Sequence, residues 1–147
     1  MADLKVTILE NIVLKGDDYR TVNTKTFTGV DNIFKRVVTC PASQETTVAV
    51  FNSNVYSAAG AIDVEGTYYI RVTNVSITSI KLGVATGDTN YTVSIGAGES
   101  HILSSPDDAL LAEADASPNF GSGADIVNLI VNPGTTASDV EVFIATA

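Results

Sequence analysis

Apolar and polar residues alternate along most of this chain. In Thr67-Tyr68-Tyr69-Ile70-Arg71-Val72-Thr73, Tyr68, Ile70 and Val72 fall on one face and Tyr69, Arg71 and Thr73 on the other. That is the period of two expected of a half-buried strand, written in the β-branched and aromatic residues that strands favour. Tyr91-Thr92-Val93-Ser94-Ile95 and Val140-Glu141-Val142-Phe143-Ile144 repeat it. Residues 125–131 are apolar on both faces and predict a central strand. Segments 5–9, 20–27, 33–39, 47–51, 80–85 and 101–103 complete the series. Turn residues divide the runs at Lys15-Gly16-Asp17-Asp18, Thr28-Gly29, Gly87-Asp88-Thr89-Asn90, Gly96-Ala97-Gly98 and Asn132-Pro133-Gly134.

About eight to ten short strands with such punctuation predict an all-β fold, an antiparallel β-sandwich, with the jelly roll as the expected form and an immunoglobulin-like sandwich as the alternative. One segment departs from the pattern. Ser105-Pro106-Asp107-Asp108 offers a hydroxyl cap, proline at the first helical position and acids at the positive dipole end, and helix formers follow. It predicts at most one short helix near 106–115, with an irregular connection as the alternative, and a glycine-rich loop over 117–123. Residues 1–147 read as a single domain, without repeat or linker.

Charge narrows the function classes. The net charge is −9. Residues 1–81 hold eight bases and eight acids, while 82–147 hold nine acids and no Lys or Arg. Nucleic-acid binding draws on cations that displace counterions from phosphate, so a direct nucleic-acid partner is not expected. The first ten residues carry charges where a signal peptide has an apolar run, and no segment is apolar for long enough to span a bilayer as a helix. The reading therefore expects no membrane partner, and takes the sequons Asn74-Val75-Ser76 and Asn90-Tyr91-Thr92 as chance matches.

Candidate chemistry is sparse. One Cys, Cys40, excludes an internal disulfide, and its place before Pro41 at a strand end predicts a partly buried structural thiol. The one His, His101, follows Ser100 at a strand start and reads as an edge residue. No Gly-x-Ser-x-Gly elbow is present, so no catalytic residue is assigned and no enzyme is expected. Two Cys/His residues do not make a zinc site. Asp17-Asp18, Asp88 and Asp107-Asp108 lack the spacing of a calcium loop and read as solvated turn acids. No metal or cofactor is expected. Gly96-Ala97-Gly98-Glu99 and Gly121-Ser122-Gly123 lack the βαβ frame of a phosphate loop and read as turns. A glycan-binding module is a lesser alternative: there is no Trp, and Tyr19, Tyr56, Tyr68, Tyr69 and Tyr91 are scattered.

Ile70-Arg71-Val72-Thr73-Asn74, Ile80-Lys81-Leu82-Gly83-Val84 and Tyr91-Thr92-Val93-Ser94-Ile95-Gly96-Ala97-Gly98-Glu99-Ser100 together resemble small virion proteins of tailed bacteriophages, including those of cyanobacteria. Phe120-Gly121-Ser122-Gly123-Ala124-Asp125-Ile126 and Asp139-Val140-Glu141-Val142-Phe143-Ile144-Ala145 extend the likeness over the C-terminal half. The resemblance implies a structural part of the virion, a capsid decoration (cement) protein made in the host cytoplasm. It would sit on the capsid exterior, bind the major capsid protein and assemble as a homotrimer. A tail, neck or fibre-associated protein is the alternative. The charge split adds a candidate contact set, Lys15, Lys25, Lys35 and Arg36, that would face the shell while the acidic half faces solvent.

Overall fold

The nine alternating segments form strands in the computed structural model, which describes residues 1–112 and 118–147, and the apolar segment 125–131 is strand from Asn128 onward. In chain order the strands are β1 (Ala2–Glu10), β2 (Val13–Leu14), β3 (Asp17–Asp18), β4 (Thr21–Val30), β5 (Asn32–Cys40), β6 (Thr46–Asn52) and β7 (Ile62–Asp63). They continue with β8 (Thr67–Asn74), β9 (Ile80–Ala85), β10 (Asn90–Ile95), β11 (Ser100–Leu103), β12 (Asn128–Asn132) and β13 (Ser138–Thr146). The fold is an all-β sandwich. One sheet has the order β10-β9-β12-β6-β7 and the other β11-β8-β13-β5. Strand β12 is the middle strand of its sheet, as its apolar sequence predicts.

Pairing in the sandwich is nested. The first strand of the sandwich, β5, pairs with the last, β13, and β6 pairs with β12. Then β8 pairs with β11 and β9 with β10. This is one long antiparallel ribbon wound on itself, closed by the contacts β13·β8 and β12·β9. Alternation then puts apolar side chains between the sheets. Val48, Phe51, Leu82, Val84, Leu129 and Val131 meet Ile70, Val72, Val140, Val142 and Ile144 in a single buried cluster. Burial of such side chains stabilises by about 1.5–3 kcal/mol each. Cys40 belongs to this cluster and is fully buried, and burial pushes its thiol pKa up.

The first thirty residues lie outside both sheets. Among the described residues, strands β1 and β4 pair only with each other, in register from Leu4–Phe27 to Glu10–Thr21. At the far end β2 and β3 close a two-residue turn with Lys15 (φ 53°) and Gly16 (φ 88°) both left-handed. That is the backbone a tight hairpin requires, and Gly16 supplies its share at no steric cost.

Two local departures from the sequence pattern have physical causes. Register shifts between Ala145 and Thr146 opposite β8, so Tyr68 becomes the extra residue of a bulge. Tyr68 therefore leaves the face of Ile70 and Val72 and stacks on Phe27, with ring centroids 6.3 Å apart and planes at 10°. The helix expected near 106–115 is not formed over residues 106–112. The Ser105 hydroxyl does accept the Asp107 amide at 3.1 Å. Asp108 then turns left-handed (φ 51°) and its amide donates to the Asp125 carboxylate. Leu110 pairs with Ala124 across an isolated bridge. Short Asp side chains that capture backbone amides compete with helix formation. Residues 113–115 of that segment lie outside the described residues.

Asn74 pins the crossover between the sheets. Its fully buried amide nitrogen donates to the carbonyls of Thr78 (2.7 Å), Ile95 (3.1 Å) and Gly96 (3.1 Å), and its oxygen accepts from the Ser76 amide (3.0 Å). The turn it braces, Gly96–Glu99, is closed by the Glu99 carboxylate on the Gly96 amide at 2.8 Å. Asn74→Ala leaves buried carbonyls unpaired and should cost about 2–3 kcal/mol of unfolding free energy. A urea titration measures this, and a loss under about 0.5 kcal/mol, the size of an ordinary surface change, would refute the pinning role.

Candidate functional site

The outer face of the four-stranded sheet is built by cross-strand rows. Register aligns Ile102, Arg71, Phe143 and Lys35 in one row, and Ser100, Thr73, Glu141 and Val37 in the next. Arg71 ties the rows together. Its guanidinium donates to Glu141 Oε1 at 2.6 Å and to the Thr73 hydroxyl, and it stands 5.7 Å from the centre of the Phe143 ring. The Thr73 hydroxyl in turn meets Ser100 Oγ at 2.7 Å. Its hydrogen bond to Arg71, and that cation's charge, hold the Glu141 carboxyl below the usual carboxylate range against the opposing effect of burial.

The β1–β4 hairpin stands over this face as an arm. Leu4, Val6 and Phe27 pack against Val30, Tyr69, Ala145, Tyr68 and Phe143. Tyr69 is 7% exposed and lies between Phe27 and Phe143, with ring centroids 6.1 Å from each. This aromatic seat grips the base of the arm. Beyond it a cleft of about 320 Å³ separates Leu4, Val6 and Ile8 of the arm from Tyr69, Arg71, Ile102 and Phe143 of the sheet. The distal arm has no seat. Ile8, Leu9, Ile12, Val13, Leu14, Tyr19 and Val22 are each between 45% and 68% exposed. Thr7 and Thr24 share a hydroxyl hydrogen bond across the strands, and Thr21 donates to Glu10. These contacts hold the hairpin together without covering its apolar side chains.

The four sequence-derived contact residues fall at different places. Lys15 is in the turn at the arm tip. Lys25 shares the side of Phe27 and sits 5.6 Å over its ring. Lys35 and Arg36 are consecutive in β5 and so point to opposite faces. Lys35 joins the outer row with Phe143, whereas Arg36 lies 4.1 Å over the Phe34 ring on the inner side. The arm's ten-residue strand is roughly 30 Å long, so the four charges do not gather into one patch. The apolar arm is the feature that charge counting passed over. Its signal was present in the unbroken apolar triplet Ile12-Val13-Leu14 before the Lys15-Gly16 turn.

The remaining candidates resolve as local structure. His101 sits on the edge strand β11, half-buried, with Nε2 3.0 Å from the Tyr91 hydroxyl of the facing sheet. Burial lowers the imidazole pKa and raises that of the phenol. Asp88 lies in a turn whose amides bond to the Thr86 hydroxyl. Among the described residues no three His, Cys, Asp or Glu side chains gather as a metal site. Tyr69 and Arg71 share a face as the alternation requires, but Tyr69 is covered by the arm and offers no platform to a sugar. On the opposite sheet a cavity of about 520 Å³ is lined by Glu45, Lys81, Gly83, Thr92, Ile130 and Asn132 among others, without an aromatic ring.

No family model matches the chain, and no curated protein matches it. Among solved structures, one described as Bacillus endospore appendages that form a novel family of disulfide-linked pili aligns with a TM-score of 0.40. The identity is 10%, over 82% of this chain and 93% of that chain. A likeness at this level carries no argument about function.

The Arg71–Glu141 pair makes a pH prediction. A carboxylate whose folded pKa is depressed adds stability above its unfolded value, and loses it as pH falls through the folded value. Glu141→Gln should therefore be less stable than the parent at pH 7, with the gap closing as the pH drops below the ordinary glutamate value of 4.5. Urea midpoints across that range measure it; a gap that does not change with pH would show that the carboxylate charge contributes nothing.

Proposed function

We propose that this chain is a structural subunit of a protein assembly, a virion protein of a tailed bacteriophage, acting as a decoration protein on the capsid exterior. The observation that carries the proposal is the distal arm, a hairpin whose apolar side chains the described residues leave 45% to 68% exposed. An isolated two-stranded hairpin is marginal in water, so a ten-residue arm of this composition is suited to a place where another protein surface completes it. The virion assignment comes from the sequence resemblance, and the nested strand pairing supports the jelly-roll reading of the sandwich. That pairing joins first strand to last and second to next-to-last, as an eight-stranded ribbon wound into two sheets does.

Function on this reading is added contact area. A rigid sandwich sets the position of the arm, and the arm and outer sheet bind neighbouring shell subunits. When several such contacts form on one particle, each raises the effective concentration of the next. Net charge of −9 disfavours contact with nucleic acid.

The test is the location and copy number of the chain in purified particles of the phage that encodes it, by quantitative gel and antibody labelling in electron micrographs. Many copies distributed over the head are expected. A few copies confined to the tail or neck would move the assignment there, and absence from washed particles would refute a virion role.

A further inference from the structure

We propose that the distal arm is the surface through which copies of this chain bind one another. The inference rests on the reading of the chain as an assembly subunit, and it names the partner of the arm as a second arm.

Backbone geometry supplies the first argument. The β1–β4 sheet has two strands, so each arm presents two unpaired strand edges. Two arms side by side form a four-stranded sheet, which passes the three-strand threshold for stability that one hairpin fails. Unpaired edges are templates for such pairing. The interaction is self-complementary, as a contact between identical patches must be.

Side-chain placement supplies the second. Ile8 turns with Leu4 and Val6 toward the arm's own sheet, whereas Leu9 and Val22, paired across the strands and more than half exposed, share the opposite side. Cross-strand neighbours in a joined sheet stand about 4.5–5.5 Å apart, so a second arm brings side chains beside this exposed pair.

Charge supplies the third and selects the partner. Residues 1–30 carry Lys5, Lys15, Arg20 and Lys25 against Asp3, Glu10, Asp17 and Asp18, and so have no net charge. The whole −9 of the chain lies in residues 31–147. Two copies that meet sandwich to sandwich set like charges face to face, a destabilising arrangement. Two copies that meet by their arms place neutral surfaces with interleaved signs in contact, and hold the acidic bodies beyond the ~8 Å over which salt leaves charge unscreened.

The experiment measures the solution mass of the full-length chain by light scattering over a range of concentrations. The same is done for Leu9→Asp with Val22→Asp, which are paired across the arm and lie far from the sandwich core. The parent should exceed the mass of one chain. The double variant should return to it, with association weakened on the order of a hundredfold or more and an unchanged thermal midpoint showing that the sandwich is intact. A second measurement avoids destabilisation. Because Cys40 is fully buried, Thr7→Cys, Val13→Cys and Val22→Cys each introduce the accessible thiol of their variant. Mild oxidation should link at least one of them into a covalent dimer. A parent that stays at the mass of one chain, together with no cross-link at any of the three positions, would overturn the inference. If the monomeric parent still binds purified virions and the Asp variant does not, the arm binds a different protein: self-association fails and the virion reading stands. If copies associate through the arm but bind no particle, this inference stands and the virion reading fails.

Discussion

Hydrogen bonding along β13 is the constraint on which the molecule depends. Its nine residues pair with β5 on one side and Val140 to Thr146 pair with β8 on the other, so β13 closes the ribbon that β5 began. The same strand has two occupations. Val140, Val142 and Ile144 fill the centre of the core, while Glu141, Phe143 and Ala145 on the reverse face anchor Arg71 and seat the arm. Damage to β13 would thus reach both the sandwich and the surface that the sandwich presents.

The arm and the sandwich are stabilised by different means. The sandwich buries a contiguous apolar cluster, and the net charge of the chain lies outside residues 1–30. The arm has no net charge, is gripped at its base by Phe27, which stacks on Tyr68 and tilts against Tyr69, and leaves the apolar side chains of its far half about half exposed. Hydrophobic attraction is non-directional, whereas the register from Leu4–Phe27 to Glu10–Thr21 is specific. The hairpin therefore fixes where its apolar side chains stand without burying those of its far half.

Most of the architecture was legible in the sequence because alternation is a local signal. Tyr91–Ile95 and Val140–Ile144 read as strands and are strands, and the apolar 125–131 segment leads into the middle strand β12. What escaped depends on distant partners. Tyr68 is diverted by a bulge opposite the Ala145–Thr146 step, which lies far along the chain in β13. Ser105-Pro106-Asp107-Asp108 carries every local mark of a helix start, yet Asp125 and Ala124 take the backbone groups that a helix would use. The candidate site was the least legible part. A count of bases put Lys35 and Arg36 together, but neighbours in a strand face opposite ways, and no count of charges reveals an uncovered apolar hairpin.

The order in which the polypeptide is made gives the aromatic seat a consequence in time. Phe143 and Ala145 are joined more than a hundred residues after Leu4, Val6 and Phe27, which rest against them. At about 5–20 residues per second the hairpin waits on the order of ten seconds for its base to be gripped. Its strands are complete well before the surface that fastens them exists.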